Sequence, residues 1–250
     1  MDNVSVHNLG NRPHTTVILA MSADGKIADR NRSPARFGSA RDKAHLETQI
    51  AKVDGVLFGR GTLQAYGTTL SVSSPELLQH RQRQGKSPQP IQMVCSSSGK
   101  INPNLRFFQQ PVPRWLLTTP QGLTQFKQEF SNSNSSHQSD IYDCFQDFIT
   151  TNTLSENQDL IDWNDAFKNL IQRGLKRLAI LGGGQLVSSL ILMNFIDELW
   201  LTVCPLILGG VNAPTPVEGQ GFLSNVAPRL QLLEARQVKQ EVFLHYKLNE

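Results

Sequence analysis

The sequence predicts an α/β fold, with a mixed, mostly parallel sheet, helices on both of its faces and an antiparallel hairpin at the C-terminus. Three observations carry that prediction. Short apolar runs ending in glycine or hydroxyl residues recur along the chain, such as VDGVLFGRGT at Val53–Thr62 and LAIL at Leu178–Leu181, as strands buried on both faces do. Apolar residues at helical spacing fall between these runs, as at Trp163, Ala166, Phe167, Leu170 and Ile171. From Arg229 to Leu248 apolar and polar residues alternate in two runs, the period of a hairpin with one face in water.

Taken in order, Thr15–Met21 reads as the first strand, with Ser22-Ala-Asp-Gly25 turning out of it. Ser39 is a helix N-cap with Asp42 three residues on, a capping-box pattern opening a helix that runs to about Lys52. The second strand ends in Gly59, followed at once by Arg60, Gly61 and Thr62. Ser71–Gln92 mixes serine, glutamine, arginine and proline and reads as a short helix plus a mobile loop. VCSSSGK at Val94–Lys100 is a third strand end, and another closes at Thr118 and Thr119. Ser131–Asp140 is low in complexity, as an exposed loop is. Asp162 and Gly174 bracket the next helix as cap and stop. That helix leads into Leu178–Leu181, a glycine run at Gly182–Gly184, a helix with Leu186, Val187, Leu190 and Ile191 on one face, a stop at Asn194, and a further strand from Leu199 to Leu208 broken by Pro205.

Composition excludes several classes. A chain of 250 residues buries a sizeable core, and its net charge of +3 comes from intermixed acids and bases, with no basic stripe of the kind that binds nucleic acid. The apolar stretch at Leu186–Met193 is too short to span a bilayer. The first residues lack the apolar core of a signal peptide, which predicts a cytoplasmic protein. Its three cysteines, Cys95, Cys144 and Cys204, are odd in number and far apart, as free thiols in a reducing compartment are. No cysteine pair has metal-ligand spacing, so no metal is expected. His45 and His245 read as polar surface or satisfied residues.

The glycine run carries the chemistry. Without side chains, Gly182, Gly183 and Gly184 let a ligand lie against the backbone, and the helix that follows offers free N–H groups to an anion. Arg60, Thr62, Ser96, Ser97 and Lys100 at neighbouring strand ends supply the charge and hydroxyls that a dinucleotide with several phosphates requires.

On these residues the chain resembles the reductase domain of riboflavin biosynthesis, a pyrimidine reductase of the dihydrofolate reductase-like superfamily. The pieces that carry the resemblance are TVILAMSADGKIA at Thr16–Ala28, DGVLFGRGT at Asp54–Thr62, the strand ending at Thr118 and Thr119, and LGGGQL…DELWLTVCPLILGG; together they span most of residues 15–210. The resemblance implies the three-layer dihydrofolate reductase-like fold, with residues 1–14 as an N-terminal extension and 15–250 as one reductase domain carrying the polar loop 131–140. It implies NADPH as cofactor and hydride transfer to the ribosyl carbon of a 5-amino-6-(5-phosphoribosylamino)uracil-type substrate. The deaminase that often precedes this reductase needs a His-x-Glu and a Pro-Cys-x-x-Cys; neither is present, so the reductase half is expected to stand alone. Carried over residue by residue, Gly182, Gly183, Gly184, Gln185 and Leu186 receive the pyrophosphate and nicotinamide side. Gly59, Arg60, Gly61 and Thr62 flank the adenosine phosphates, Ser96 and Ser97 contact the 2′-phosphate, and Ala20 and Thr118 complete the cofactor site.

The substrate side departs from the family pattern. Where the family continues with Ala-Asp-Asp-Pro-x-Leu-x-x-Arg, this chain has Ala65-Tyr-Gly-Thr-Thr-Leu70, so Tyr66 replaces the first acid. Leu181 stands where a glutamate precedes the glycine run, and Ile50 stands near a missing arginine. Ser22, Asp24, Lys26 and Tyr66, with Arg36 or Arg81, are the substrate-binding candidates, and Asp24, Asp42 and Tyr66 the catalytic ones. Two other readings stay open: a dihydrofolate reductase-like enzyme acting on a pterin or other small heterocycle, for which Asp42 lies near the expected acid, and a non-catalytic NADP-binding homologue. The resemblance also implies a homodimer, with Leu199–Leu208 as a contact region.

Overall fold

The computed structural model describes residues 12–133, 144–151 and 160–249. One nine-stranded sheet organises them, in the order β5-β4-β3-β2-β6-β1-β7-β9-β8. The central strands are β1 (His14–Ser22), β2 (Gly55–Gly59), β3 (Ile91–Cys95), β4 (Arg114–Thr118), β5 (Asp147–Thr150), β6 (Arg177–Ile180) and β7 (Glu198–Cys204), and every pair among them is parallel. The final strands β8 (Leu230–Val238) and β9 (Glu241–Leu248) form the expected hairpin, antiparallel to each other and to β7.

Helices cover both faces, as parallel strands require. On one face lie α1 (Ala40–Ile50), α2 (Arg60–Tyr66), α3 (Pro75–Arg83) and α4 (Pro120–Ser133), which bury Ile50, Leu63, Phe126 and Phe130 against Val56, Phe58, Leu116 and Trp200. On the other lie α5 (Trp163–Gln172) and α6 (Gly184–Leu192), whose Phe167, Leu170, Val187 and Leu190 meet Val17, Leu57, Met93 and Ile180. None of the described helices is long and apolar enough to cross a membrane.

The local signals hold where they are local. Ser39 caps α1 by accepting from the amides of Arg41 and Asp42, and Asp162 caps α5 in the same way. Gly174 follows α5 and Asn194 follows α6 with positive φ, as stops do. The capping box at Ser39, though, is not closed by Asp42. The amide and hydroxyl of Ser39 both donate to Glu241, at 2.7 and 2.6 Å, so a strand distant in sequence takes that role.

Four expectations are corrected. Arg60 to Tyr66 form a helix, α2, where only a strand end was expected; Gly59 starts it and Gly67, with φ of +66°, ends it. Residues Ser131 to Ser133 of the expected polar loop belong to α4, and 134–140 lie outside the described residues. The segment after α3 is tied down rather than loose: Arg81 is buried, with its guanidinium donating to the carbonyls of Ala51, Val53 and Ser87, while Lys86 pairs with Asp54. Arg81 therefore closes the ends of α1 and α3 and is buried away from any substrate. Finally, β7 is bonded on both edges, to β1 and β9, so Leu199–Leu208 offers no free strand edge; the sheet ends in β5 on one side and β8 on the other, and Leu230, Leu232 and Leu233 of β8 are exposed.

Candidate functional site

The site lies at the C-terminal ends of the parallel strands, where β2, β6 and β1 stand side by side. After Ile180 the chain leaves β6 through Leu181 and the glycine run, and the Gly182–Gly183 peptide is cis. Gly182 has φ of +93°, a backbone state that favours glycine, and its carbonyl accepts from the amide of Gly59 at 2.9 Å. That bond joins the start of α2 to the start of α6. Both helices therefore open at the same place, and neither has a side-chain cap: Gly59 and Gly183 are the N-cap residues.

The three glycines do different jobs. A Cβ on Gly183 would meet only the Thr62 hydroxyl, at 3.7 Å, so the backbone there is open to a ligand. A Cβ on Gly184 would lie 2.4 Å from the Thr215 carbonyl and 2.7 Å from Glu218 Cγ; this glycine is required by packing against the 215–218 segment, not by a ligand. Leu186 buries its side chain in the core under α6, which leaves only its backbone at the helix start, whereas Gln185 is exposed there. Arg60 is half-buried at the first position of α2 and makes no hydrogen bond or ion pair to the described residues. Gly61 and Thr62 complete that first turn. Ala20 is half-buried on β1 beyond Val17, the last residue paired with β6, and its neighbour Leu19 packs 3.2 Å from where a Gly182 Cβ would be.

Ser96 and Thr118 are corrected. The Ser96 hydroxyl is buried and accepts from the Gly99 amide, and the Thr118 hydroxyl donates to the Ser96 carbonyl at 2.7 Å. Together they build the turn after β3 and hold it to β4. Ser97 keeps a half-buried side chain at that turn, with only its carbonyl engaged by Thr119.

Ser22 and Asp24 are corrected as well. Ser22 is fully buried; its hydroxyl donates to Asp24 and accepts from the Lys26 amide. Asp24 also accepts from the amides of Leu208 and Gly209, at 3.0 and 2.7 Å, and the Ser22 hydroxyl leads these bonds in pulling its carboxyl down to about 2. A carboxylate so held neither takes up nor releases a proton near neutrality. It fastens the turn after β1 to the loop after β7. Lys26, from the same turn, bonds the Ala213 carbonyl at 3.3 Å and lines a cleft of about 510 Å³ with Arg30, Arg32, Gln185 and Glu218.

The remaining candidates come together on the α1 face. Burial raises the Asp42 carboxyl above the ordinary range, opposed by the nearby Thr202 hydroxyl of β7 and reinforced by Glu241. Tyr66 feels the charges of Asp42 and Arg36, and its hydroxyl donates to the Ala35 carbonyl at 3.1 Å. Asp42, Tyr66, Arg36, Thr202 and Glu241 thus form one polar cluster between α1, α2 and the β7–β9 ladder. Thr202 and Glu241 are additions that no local pattern signalled.

Beside this cluster, the expectation for His45 is overturned: its Nε2 is buried without a partner, and the ring sits edge-on to Trp200 and Phe243 at 4.6 and 5.0 Å. His245 is satisfied, stacked on Trp200 and bonded to Glu198. Burial, with help from Arg236 and Lys52, lowers the His45 imidazole to about 4. The unfolded chain therefore binds the extra proton first, and stability falls as pH drops from about 6.5 towards 4, by roughly 2 kcal/mol after allowing for partial solvent access. Urea midpoints at pH 7 and pH 5 should show this loss, and His45→Phe should lessen it.

The profile of the RibD C-terminal domain matches residues 13–244. The 2,5-diamino-6-ribosylamino-4(3H)-pyrimidinone 5′-phosphate reductase of Archaeoglobus fulgidus is 28% identical over 212 residues, covering 85% of this chain and 89% of that one. Escherichia coli RibD is 22% identical, and the match covers 93% of this chain but 59% of that longer protein. Among solved structures, a pyrimidine reductase-like protein from Corynebacterium diphtheriae superposes with a TM-score of 0.74 at 19% identity, over 97% of this chain and 94% of that one, and so shares the fold. The profile spans nearly every described strand and both sides of the site, and on that match the chain belongs to the RibD C-terminal domain family.

Proposed function

We propose that the protein is an NADPH-dependent reductase of a ribosylamino pyrimidine 5′-phosphate, acting in the cytoplasm as a homodimer. The observation that carries this reading is the junction of α2 and α6 at the Gly59–Gly182 bond, where two uncapped helix starts meet beside an open Gly183, with Arg60, which makes no hydrogen bond or ion pair to the described residues, at the first position of α2. Those groups suit a dinucleotide phosphate: backbone N–H groups and a guanidinium meet the anion, and no side chain blocks the approach. When bound, NADPH supplies the hydride. The chain's own residues do the rest. Gly183, Gln185, Gly61 and Thr62 hold the phosphates, Ala20 borders the turn where the nicotinamide end must lie, and the Asp42 cluster on the α1 face contacts the heterocycle and keeps a proton available on the Asp42 carboxyl. The relatives named as reductases of such a pyrimidine favour this substrate over a pterin. Oxidation of NADPH by the purified protein, dependent on the ribosylamino pyrimidine phosphate, tests the reading; no oxidation with either the diamino or the uracil form refutes it.

Arg60 is assigned to the 2′-phosphate. Arg60→Ala should weaken NADPH by about tenfold to a hundredfold, the loss of a charge-assisted contact worth roughly 1.5–3 kcal/mol, and leave NADH unchanged. Equal losses for both cofactors in calorimetric titration would remove the assignment. For the dimer, the exposed leucines of the open β8 edge are the surface we assign to the second copy. Leu232→Lys with Leu233→Lys should yield a monomer by sedimentation.

A further inference from the structure

We propose that the cleft lined by Lys26, Arg30 and Arg32 is an anion site that takes the phosphate of the substrate's ribosyl end, an inference that rests on the reductase reading. The cleft, of about 510 Å³, lies between the segment after β1 and the loop at 211–219, with Gln185 at one wall. Three cations line it against a single carboxylate, Glu218, which is already paired with Arg32 at 3.1 Å. The other nearby acid, Asp29, accepts at Oδ1 from the amides of Asn31 and Ser33 and shares the charge of Arg30, so the cleft and its rim hold three cations against two carboxylates.

The segment is shaped to present these cations. Asp29 folds residues 29–33 into a turn in which Arg32 takes φ of +57°, an uncommon state for a residue with a side chain, and Arg30 leaves the turn beside Gly210. Lys26 is placed by its amide bond to Ser22 and by the Ala213 carbonyl, and the whole turn is fastened through Asp24 to Leu208 and Gly209. Gathering like charges is unfavourable unless an anion shares them, and a phosphate matches a lysine with two guanidinium groups.

Position supports the substrate as the source. The cleft adjoins the C-terminal end of β1, the neighbour of β6 in the sheet, and shares Gln185 with the start of α6. The cofactor phosphates are assigned to the other side of that start, next to α2. The arginines that the family pattern places near Ile50 and after Leu70 are absent, and Arg81 is locked in the core, so a phosphate on the substrate needs cations from elsewhere. Arg30 and Arg32 are both exposed, and Arg32 keeps donors beyond the one nitrogen it gives to Glu218.

Kinetics with the ribosylamino pyrimidine phosphate and its dephosphorylated nucleoside test the proposal. Arg30→Ala should raise KM for the phosphate form about tenfold or more and leave KM for the nucleoside near wild type. Arg30→Lys should recover part of the loss. Ribose 5-phosphate provides a readout free of turnover: it should bind the wild-type protein in an NMR or calorimetric titration and bind Arg30→Ala at least tenfold more weakly. Unchanged KM for the phosphate form, or equal losses for both forms, overturns the proposal. A selective loss of NADPH over NADH in Arg30→Ala also overturns it, by giving the cleft to the cofactor. If the wild type reduces neither form, the reductase reading fails by itself, and the ribose 5-phosphate titration still decides whether the cleft holds a sugar phosphate.

Discussion

Gly183→Val should abolish measurable NADPH binding while the protein stays folded. Gly183 has φ of −76° and ψ of −175°, extended backbone that any residue adopts, so valine brings no conformational strain of the left-handed kind. A Cβ at this position touches only the Thr62 hydroxyl, at 3.7 Å, so the branched side chain is accommodated without moving the core. What it occupies is the space in front of the amides that begin α6, where a phosphate and the backbone must approach closely. Loss of that approach removes several hydrogen bonds to a charged group at once, each worth about 1.5–3 kcal/mol, which takes an ordinary dinucleotide affinity out of the measurable range. Calorimetric titration gives the affinity and far-UV circular dichroism the fold. Wild-type affinity in a folded Gly183→Val protein would sink the cradle. Gly184→Val supplies the contrast: with Thr215 and Glu218 within 3 Å of its Cβ, it should fail through instability.

That contrast shows what was legible in the sequence. The order of strands and helices, the caps at Ser39 and Asp162 and the stops at Gly174 and Asn194 were readable because their causes lie within a few residues. So was the position of the glycine run after a buried strand. The division of labour inside the run was not readable, since Gly184 is fixed by a segment more than thirty positions away. The same limit explains Asp24, Ser96, Thr118 and Arg81. Each is a polar residue at or near a strand or helix end, the pattern of a ligand contact; Asp24, Thr118 and Arg81 bond partners outside their own element, and Ser96 is buried with its hydroxyl on the Gly99 amide and its carbonyl on Thr118. Polar residues were legible as candidates, but whether their donors and acceptors remain free is a property of tertiary structure.

Asp42 stands on the other side of that division, and Asp42→Asn is expected to give the largest loss of turnover among changes that spare the cofactor. Its carboxyl is half-buried, faces the Thr202 hydroxyl and lies near Glu241, so burial and a like charge both favour the protonated acid. Tyr66 and Arg36 share its field, which puts the cluster at the C-terminal end of α2, on the face opposite the α6 helix. An acid with a raised pKa in such a place suits proton delivery to the sugar oxygen or to the heterocycle as the ribosyl carbon is reduced, work worth about 10²–10⁴ in rate. Asn keeps the shape but carries no acidic proton. Turnover should fall by about a hundredfold or more, NADPH affinity should hold, and the limb of the pH profile that reports Asp42 should vanish. Tyr66→Phe should cost less, because its hydroxyl is spent on the Ala35 carbonyl and its loss only loosens the 34–38 segment. Full turnover in Asp42→Asn with an unchanged pH profile would mean that the cluster binds α1 to the β7–β9 ladder and no more, and the proton must then come from Glu241 or from water.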